Sequence, residues 1–263
     1  TGKISGVEIN PHHCTIAMYR GLVDEFLPLE EAVKQSDVII LCAPVNVNCQ
    51  LLPSVLDMIA GTSKVVTDMG STKSDIAASV AGHPARGRYV AAHPMAGTEH
   101  SGPAAALDGL FRNRIAIICD PEKSDDDALE LITALLQSLS MQIQYMNSTD
   151  HDVHVAYVSH ISHITSFALA LCVIDKEKNA SNILSLAAGG FDSTVRLAKS
   201  NADTWAPIFA GNSGPLLEVI DTYIEKMNLF KQHIIKGDSE SLRRLMKQAN
   251  EIGTILNNNH RIK

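Results

Sequence analysis

The sequence predicts an α/β fold in which a doubly wound sheet is followed by an all-helical domain. Apolar runs of strand length, rich in Ile and Val, alternate with segments of helical spacing, which is typical of a mostly parallel sheet covered on both faces. These runs lie at 4–9, 38–43, 65–68, 89–92, 115–119 and 142–146. After residue 148 the pattern changes to long amphipathic helices. We therefore predict a Rossmann-like nucleotide-binding domain over 1–147 and a helical domain over 148–263.

The predicted helices follow from apolar spacing and capping residues. Those between the strands are expected at 46–59, 72–81 and 124–140. Those of the helical domain are expected at 150–175, 178–199, 203–235 and 239–257, with Ser148, Thr149 or Asp150 capping the first and Asp238 or Ser239 capping the last. Their apolar faces exceed what one layer of four helices covers. This favours a homodimer formed through the helical domain, and a monomeric bundle is the alternative.

Composition excludes several classes of partner. The 263 residues are 45% hydrophobic with a formal net charge of −7, an ordinary composition for a globular chain. No block of Lys and Arg stands out, which argues against nucleic acid or an anionic membrane surface as the partner. The five scattered cysteines favour free thiols in the cytoplasm. We find no signal peptide, no long apolar span and no metal-ligand spacing of cysteines in the sequence.

The first predicted strand ends at Glu8, and an acid there is typical of a ribose site. Such an acid normally follows a glycine-rich turn by about 20 residues, yet only TGKISGV stands before Glu8. The strand that ends at Glu8 is therefore expected to be the second strand of the fold. We expect the fold's first strand, its glycine-rich turn and its first helix to precede Thr1. Glu8 favours NAD over NADP because a carboxylate repels a 2′-phosphate, and no Arg or Lys follows until Arg20. His12 and His13 weaken that preference.

Two motifs each follow a predicted strand, at the edge where open α/β sheets bind ligands. In DMGSTK, Gly70 and Ser71 follow the strand at 65–68, and the Ser71 hydroxyl either faces a ligand or caps the next helix. In AAHPMAGTEHSG, a neutral His93 can take the proton of an alcohol as hydride leaves the same carbon. A purely structural histidine is the alternative. Thr98 and Glu99 are expected at the mouth of the pocket.

Two further motifs lie in the helical domain. In DHDVHVAYVSHISH, Ser159 and His163 share a helical face, as do His160 and His163. A metal site is disfavoured because no HExxH or matching carboxylate is present, so we expect a polar pocket. Arg196 in GGFDSTVRLA lies among apolar residues, which suits either a clamp for a substrate carboxylate or an internal salt bridge.

In this order, SDVIILCAPV, VVTDMGSTK, HPMAGTEHSG, VSHISH, GGFDSTVRLA and NADTW resemble the prephenate and arogenate dehydrogenase family of tyrosine biosynthesis. The resemblance runs from about residue 4 to past residue 215. It implies oxidation of a cyclohexadienyl alcohol with a nicotinamide cofactor, followed by loss of carbon dioxide. The product is 4-hydroxyphenylpyruvate when the substrate is prephenate, and tyrosine when it is arogenate.

The resemblance also implies roles for individual residues. His93 takes the proton of the ring hydroxyl, Ser71 positions that hydroxyl, and Arg196 holds the ring carboxylate. Family pocket positions near the substrate side chain fall on Ser159, His163, Thr98 and Glu99. Pro44 lies beside the cofactor, together with Glu8, Gly70 and Ser71. Trp205 matches a position that reaches the partner's active site in family dimers.

Substrate choice is the least determined prediction. Prephenate is favoured because His163 offers a cationic hydrogen-bonding partner near the pyruvyl end, and arogenate is the alternative. The chain departs from the family pattern at His100, Ser162, Asp192 and Ser193. A non-catalytic metabolite-binding relative without the cofactor loop is a second alternative. Another hydroxyacid dehydrogenase is a third, and HPMAGTEHSG speaks against it.

Overall fold

A computed structural model of the chain describes residues 2–178 and 182–261, without the side chains of 258–261. By contacts between residues, the chain divides into two compact units, Thr1–Leu216 and Leu217–Lys263. The first unit holds the strands and most of the helices, and the second holds two long helical segments. The predicted domain boundary between residues 147 and 148 stays a prediction.

The described strands form two sheets, and both lie in the first unit. They are β1 (Ser5–Gly6), β2 (Glu25–Phe26), β3 (Val38–Leu41), β4 (Val65–Asp68), β5 (Tyr89–Pro94), β6 (Ile115–Cys119) and β7 (Gln142–Met146). A small sheet pairs β1 with β2, and the larger sheet has the order β3-β4-β5-β6-β7. Neighbouring strands are parallel except β5 and β6, which are antiparallel. The mostly parallel sheet is confirmed, although β2 was not predicted.

The helices that cover the sheets are α1 (Pro11–Tyr19), α2 (Leu29–Gln35), α3 (Val45–Ile59), α4 (Ser74–Ala78) and α5 (Asp126–Ser138). Neither α1 nor α2 was predicted, and α4 is shorter than the predicted 72–81. One apolar cluster joins α2, α3 and α4 to one face of the larger sheet, and a second joins α5 to the other face. Val65 and Val66 are therefore both fully buried although they point to opposite faces.

The rest of the chain is helical. The elements are α6 (Ser148–Val155), α7 (Ile161–Glu177), α8 (Gly189–Thr194), α9 (Ala202–Gly211), α10 (Ser213–Lys236) and α11 (Ser239–Arg261). One wide π turn, Ala156–His160, joins α6 to α7 without a break, and the N–H of Ile161 reaches back to the carbonyl of Ala156. The predicted helical domain after the sheet is confirmed.

Three helix predictions need correction. The helix expected at 178–199 is wrong, because only α8 and the 310 turns Leu184–Leu186 and Arg196–Lys199 form there, and residues 179–181 lie outside the described residues. The helix expected at 203–235 is interrupted at Asn212, whose φ of −121° and ψ of 33° separate α9 from α10. The first helix begins at Ser148, two residues before the expected start, and its cap is Asn147, whose side chain accepts the N–H of Asp150.

The continuous helix Ser148–Glu177 is long and apolar enough, by length and composition alone, to cross a membrane. This corrects the expectation that the sequence has no long apolar span. This helix nevertheless carries His151, Asp152 and His160, which are buried in the protein and hydrogen-bonded. Charged and polar side chains at such depth are satisfied by protein partners. One such helix is weak grounds for a membrane location.

A buried ion pair holds the segment that follows β4. The Lys73 ammonium and the Asp68 carboxylate are fully buried and in contact, and Lys73 also donates to the carbonyl of Ala92 at 2.7 Å. The hydroxyl of Tyr89 donates to Asp68 at 2.5 Å, and so does the N–H of Gly70 at 2.8 Å. A Cβ on Gly70 would lie 2.8 Å from the Asp68 carboxylate, so the turn requires glycine.

We predict that Lys73→Met lowers the free energy of unfolding by about 3–5 kcal/mol, because it leaves the Asp68 carboxylate buried without its counter-charge. Urea unfolding of the full chain measures this. Lys178→Met is the matched control, since Lys178 and Asp175 form an exposed pair that should hardly affect stability. Equal stability of Lys73→Met and the wild type would contradict the prediction.

Candidate active site

The site is built at the carboxyl ends of β4 and β5. The segment Met69–Lys73 follows β4 and carries Ser71, which is half-buried. Within the described part of the chain the Ser71 hydroxyl makes no hydrogen bond, so it does not cap α4, and it is free to bind a ligand. His93 lies on β5, the neighbouring strand, near its carboxyl end, whereas the sequence predicted it just after the strand.

His93 is the first member of a buried hydrogen-bonded series. Its Nδ1 lies 2.8 Å from Nε2 of His151, and Nδ1 of His151 lies 2.7 Å from a carboxylate oxygen of Asp152. The rings of His93 and His151 meet edge to face at 5.1 Å. Desolvation, with His151, Lys73 and His160 nearby, holds the pKa of His93 well below its ordinary value. His93 is therefore a neutral imidazole at neutral pH.

Asp152 connects α6 to the loop after β4. Its Oδ1 accepts the backbone N–H of Lys73 and its Oδ2 accepts that of Ser74, both at 2.8 Å. Burial opposes ionisation of this carboxyl, but the hydrogen bonds from His151, Ser74 and Lys73 outweigh it and keep the pKa of Asp152 below its ordinary value. Asp152 is thus a buried carboxylate whose oxygens are all used by donors.

His160 is a further buried histidine and lies in the π turn. Burial lowers the pKa of His160 to about 4, so this ring is also neutral. The amide of Asn212 lies 3.0 Å from Nδ1 of His160 and donates to the backbone carbonyl of Asp152 at 2.7 Å. The residue that interrupts the predicted helix 203–235 therefore serves two polar partners that are themselves buried.

His163 and Trp205 form a flat surface. Their rings stack with centroids 3.4 Å apart and 23° between planes, and His160 meets the same indole edge to face at 5.9 Å. Nδ1 of His163 lies 3.1 Å from the carbonyl of Ser159, and burial lowers the pKa of His163. His163 is thus neutral, which corrects the expectation of a cationic partner for the substrate. Trp205 thus packs on His163 of its own chain, and its reach into a partner's active site stays a prediction.

Arg196 forms the internal salt bridge that was one of its two predicted roles. Its guanidinium lies 2.8 Å from the carboxylate of Glu99. The backbone N–H of Glu99 and then Arg196 keep the pKa of Glu99 below its ordinary value. The Arg196 side chain is 51% exposed, so it is reachable from solvent rather than enclosed by its apolar neighbours. A role as carboxylate clamp stays a prediction.

The loop between β5 and β6 carries the remaining predicted residues. Thr98 is exposed, and its hydroxyl accepts the N–H of His100 at 3.2 Å. The amide of Asn201, which caps α9, donates to the hydroxyl of Ser101 at 3.1 Å. The loop is thereby linked to the helix that bears Trp205.

The residues predicted to hold a cofactor each follow the carboxyl end of a strand. Glu8 follows β1, Pro44 follows β3 and immediately precedes α3, and Gly70 follows β4. The exposed Glu8 carboxylate accepts the N–H of Asn10 at 2.8 Å, and this bond lowers its pKa. An ionised, exposed carboxylate can accept hydrogen bonds from ribose hydroxyls, so these residues fit a dinucleotide. His13 lies 3.4 Å from Glu8.

Sequence reasoning missed His151, Asp152, Lys73 and Asn212. His151 and Asp152 stand next to each other near the start of DHDVHVAYVSHISH, and this adjacent His–Asp pair was the available signal. His160 follows His151 by nine positions, about two and a half turns of a regular α-helix, which would place them on opposite faces. The π turn changes that spacing, and both side chains are buried.

Among the described residues no group of three His, Cys, Asp or Glu side chains is arranged to hold a metal ion.

Residues 1–145 match the family model for the nucleotide-binding domain of prephenate dehydrogenase, and 147–248 match that for its dimerization domain. The prephenate dehydrogenase of Bacillus subtilis strain 168 is 29% identical over 253 residues, which are 95% of this chain and 68% of that protein. A structure of A. aeolicus prephenate dehydrogenase with hydroxyphenyl propionate and NAD+ is 26% identical, with a TM-score of 0.83, and covers 97% of this chain and 90% of that one.

Synechocystis arogenate dehydrogenase, also solved, is 26% identical with a TM-score of 0.70, and the match covers 95% of this chain and 89% of that one. The two family models together span both the sheet that carries His93 and the helices that carry His151 and Arg196. The chain therefore belongs to the prephenate dehydrogenase family of oxidoreductases.

Proposed function

We propose that the chain oxidises prephenate to 4-hydroxyphenylpyruvate and carbon dioxide, with NAD as hydride acceptor. One observation carries the proposal. His93 is neutral, its Nδ1 is engaged by His151, and its Nε2 is left available at the ligand-binding edge of the sheet. The names of the Bacillus subtilis relative and the A. aeolicus structure support prephenate, and the NAD+ in the latter supports the cofactor.

His93 acts as the base. Bound NAD supplies the hydride acceptor, which makes the chemistry an oxidation. Nε2 of His93 accepts the hydroxyl proton while hydride leaves the same ring carbon, and a carbonyl forms. The bond from the ring to its carboxylate then breaks and releases carbon dioxide. Its electron pair completes the aromatic ring, and the phenolate oxygen takes back the proton held by His93.

Ser71 and Arg196 position the substrate. The Ser71 hydroxyl is available to hydrogen-bond the reacting hydroxyl, which lowers the entropic cost of alignment. A substrate carboxylate can replace Glu99 on the half-exposed Arg196 guanidinium, because that planar group binds carboxylates in a bidentate manner. Thr98, Glu99, Ser159, His163 and Trp205 are proposed to surround the substrate side chain.

Glu8, Pro44, Gly70 and Ser71 are proposed to hold NAD, and NADP is less favoured because Glu8 stays ionised.

We also propose a cytoplasmic homodimer. The match to a dimerization domain supports it, as do exposed apolar residues on α7, α10 and α11. These residues are Leu171, Ile174, Ile224, Met227, Ile234, Ile235, Met246, Ile252 and Ile255.

The function is tested with the natural full-length protein, NAD and either prephenate or arogenate, by following the absorbance of NADH. We expect NADH with prephenate, and His93→Ala should lower kcat by about 10²–10⁴-fold because the proton acceptor is lost. The exposed His154→Ala is the matched control and should behave like the wild type.

NADH with arogenate alone would replace the substrate and keep the reaction. Substrate binding without NADH from either compound would favour the non-catalytic alternative. Unchanged turnover in His93→Ala would show that His93 is structural.

The pH profile gives a second prediction. Protonated His93 cannot accept a proton, so kcat/KM should fall as pH falls through the pKa of His93. Because burial holds that pKa well below the ordinary value of about 6.5, activity should persist until the pH is clearly below 6.5. Initial rates measured from about pH 4.5 to about pH 8, in steps of about half a pH unit, test this. A half-maximal point above pH 6.5 would contradict it.

Arg196→Ala should raise the KM for the substrate by at least about tenfold, because a hydrogen bond to a charged group contributes about 1.5–3 kcal/mol. It should leave the KM for NAD unchanged. Trp205 is the single tryptophan of the chain, so its fluorescence reports substrate binding directly. Lys199→Ala is the control, because Lys199 is an exposed cation that pairs with Asp192. Equal substrate affinity in Arg196→Ala and Lys199→Ala would remove the proposed role.

A further inference from the structure

We propose that His151 and Asp152 are positioning residues that fix the tautomer of His93, with the proton on Nδ1 and the lone pair on Nε2. This inference rests on the proposed function, in which Nε2 of His93 takes the substrate proton. Neither residue needs to touch the substrate for this role, since both act through the ring of His93.

The direction of the hydrogen bonds begins at Asp152. An ionised carboxylate only accepts hydrogen bonds, and Asp152 accepts from the backbone of Lys73 and Ser74. The short contact of 2.7 Å from its Oδ1 to Nδ1 of His151 therefore requires the proton on that nitrogen. His151 thus donates to Asp152.

The next step sets His93. In this proposal His151 carries a single proton. An imidazole with one proton has one N–H and one lone pair, so His151 donates from Nδ1 and accepts at Nε2. The atom facing this acceptor is Nδ1 of His93, 2.8 Å away, which must then carry the proton of His93. The lone pair of the neutral His93 is left on Nε2, where a base is needed.

Burial keeps this arrangement in place. His151 is 0% and Asp152 is 2% exposed, so water does not compete for these hydrogen bonds. The two backbone amides hold both oxygens of Asp152, and Asn212 donates to its backbone carbonyl. Because Lys73 follows Ser71 by two residues, the same carboxylate orients the loop that carries Ser71.

A purely structural role for Asp152 as an acceptor at the start of α4 is the competing explanation. That role needs the backbone contacts to Lys73 and Ser74 but not His151. The protonation site of His93 separates the two, because a structural acceptor at α4 does not decide which nitrogen of His93 carries the proton.

The test uses the full-length protein labelled with ¹⁵N-histidine, and three variants. His151→Leu removes the acceptor for Nδ1 of His93, His151→Gln supplies an amide oxygen in its place, and His154→Leu is an exposed control on the same helix. In the wild type we expect ¹⁵N shifts of His93 typical of a protonated Nδ1. We expect His151→Leu to redistribute the proton toward Nε2.

Steady-state rates complete the experiment. His151→Leu should lower kcat by at least about tenfold while KM changes little, because the base is in the wrong tautomer. His151→Gln should recover part of that loss, and His154→Leu should match the wild type. Thermal melting establishes that each variant folds. If His151→Leu does not fold, the wild-type ¹⁵N shifts and His151→Gln still decide the question.

A wild-type His93 protonated at Nε2, as a doubly protonated His151 would impose, overturns the proposal. So does a His151→Leu variant that folds and keeps kcat within about twofold of the wild type. If the wild type makes no NADH from any substrate, the proposed function fails. The ¹⁵N shifts of His93 still test this inference in that case, so the two failures are distinguishable.

Discussion

The buried carboxylate of Asp152 is the constraint on which the rest of the site depends. A charge at this depth is tolerated only when donors satisfy it, and here two backbone N–H groups and His151 do so. Those donors come from α6 and from the loop after β4. The carboxylate therefore ties the first helix beyond the sheet to the loop that presents Ser71, and holds His151 against His93.

A second buried charge supports the same loop from the other side. The Asp68–Lys73 pair anchors the residues before and after Ser71, and Lys73 also reaches the strand of His93 through the carbonyl of Ala92. The backbone N–H groups of Lys73 and Ser74 thus fix the loop to Asp152, and the side chain of Lys73 fixes it to Asp68. Such double fixation holds Ser71 and His93 in fixed positions, and groups held in this way lower the entropic cost of aligning a bound molecule.

The neutral histidines link this site to the acid stability of the protein. His160 has a pKa of about 4 in the folded chain and an ordinary value of about 6.5 when unfolded. Its unfolded form binds the proton more readily, so its contribution to stability is fully present above about pH 6.5 and is lost as pH falls toward 4. His93, whose pKa is lowered in the same direction, adds to this effect.

The sequence predicts the sheet better than the helices around the site. The apolar runs that predicted β3 to β6 are clear because most residues of these strands are buried. The run of β7 is less apolar, since this strand lies at the edge of the sheet and is largely exposed. β2 has two residues, too few for any pattern. The interruption at Asn212 depends on tertiary contacts with Asp152 and His160, which local propensity does not contain. Among site residues, His93 and Ser71 follow from strand-end position, whereas His151 and Asp152 require knowing which helix packs there.

The π turn at Ala156–His160 has a consequence for how the helix can evolve. Its wide turn is equivalent to one inserted residue, which offsets the helical phase of α7 from that of α6 by about 100°. The direction in which the polar side chains of α6 point is therefore set separately from that of the exposed apolar side chains of α7, such as Leu171 and Ile174. Gain or loss of a single residue within this turn would rotate the apolar stripe of α7 around its axis while leaving His151 and Asp152 where they are.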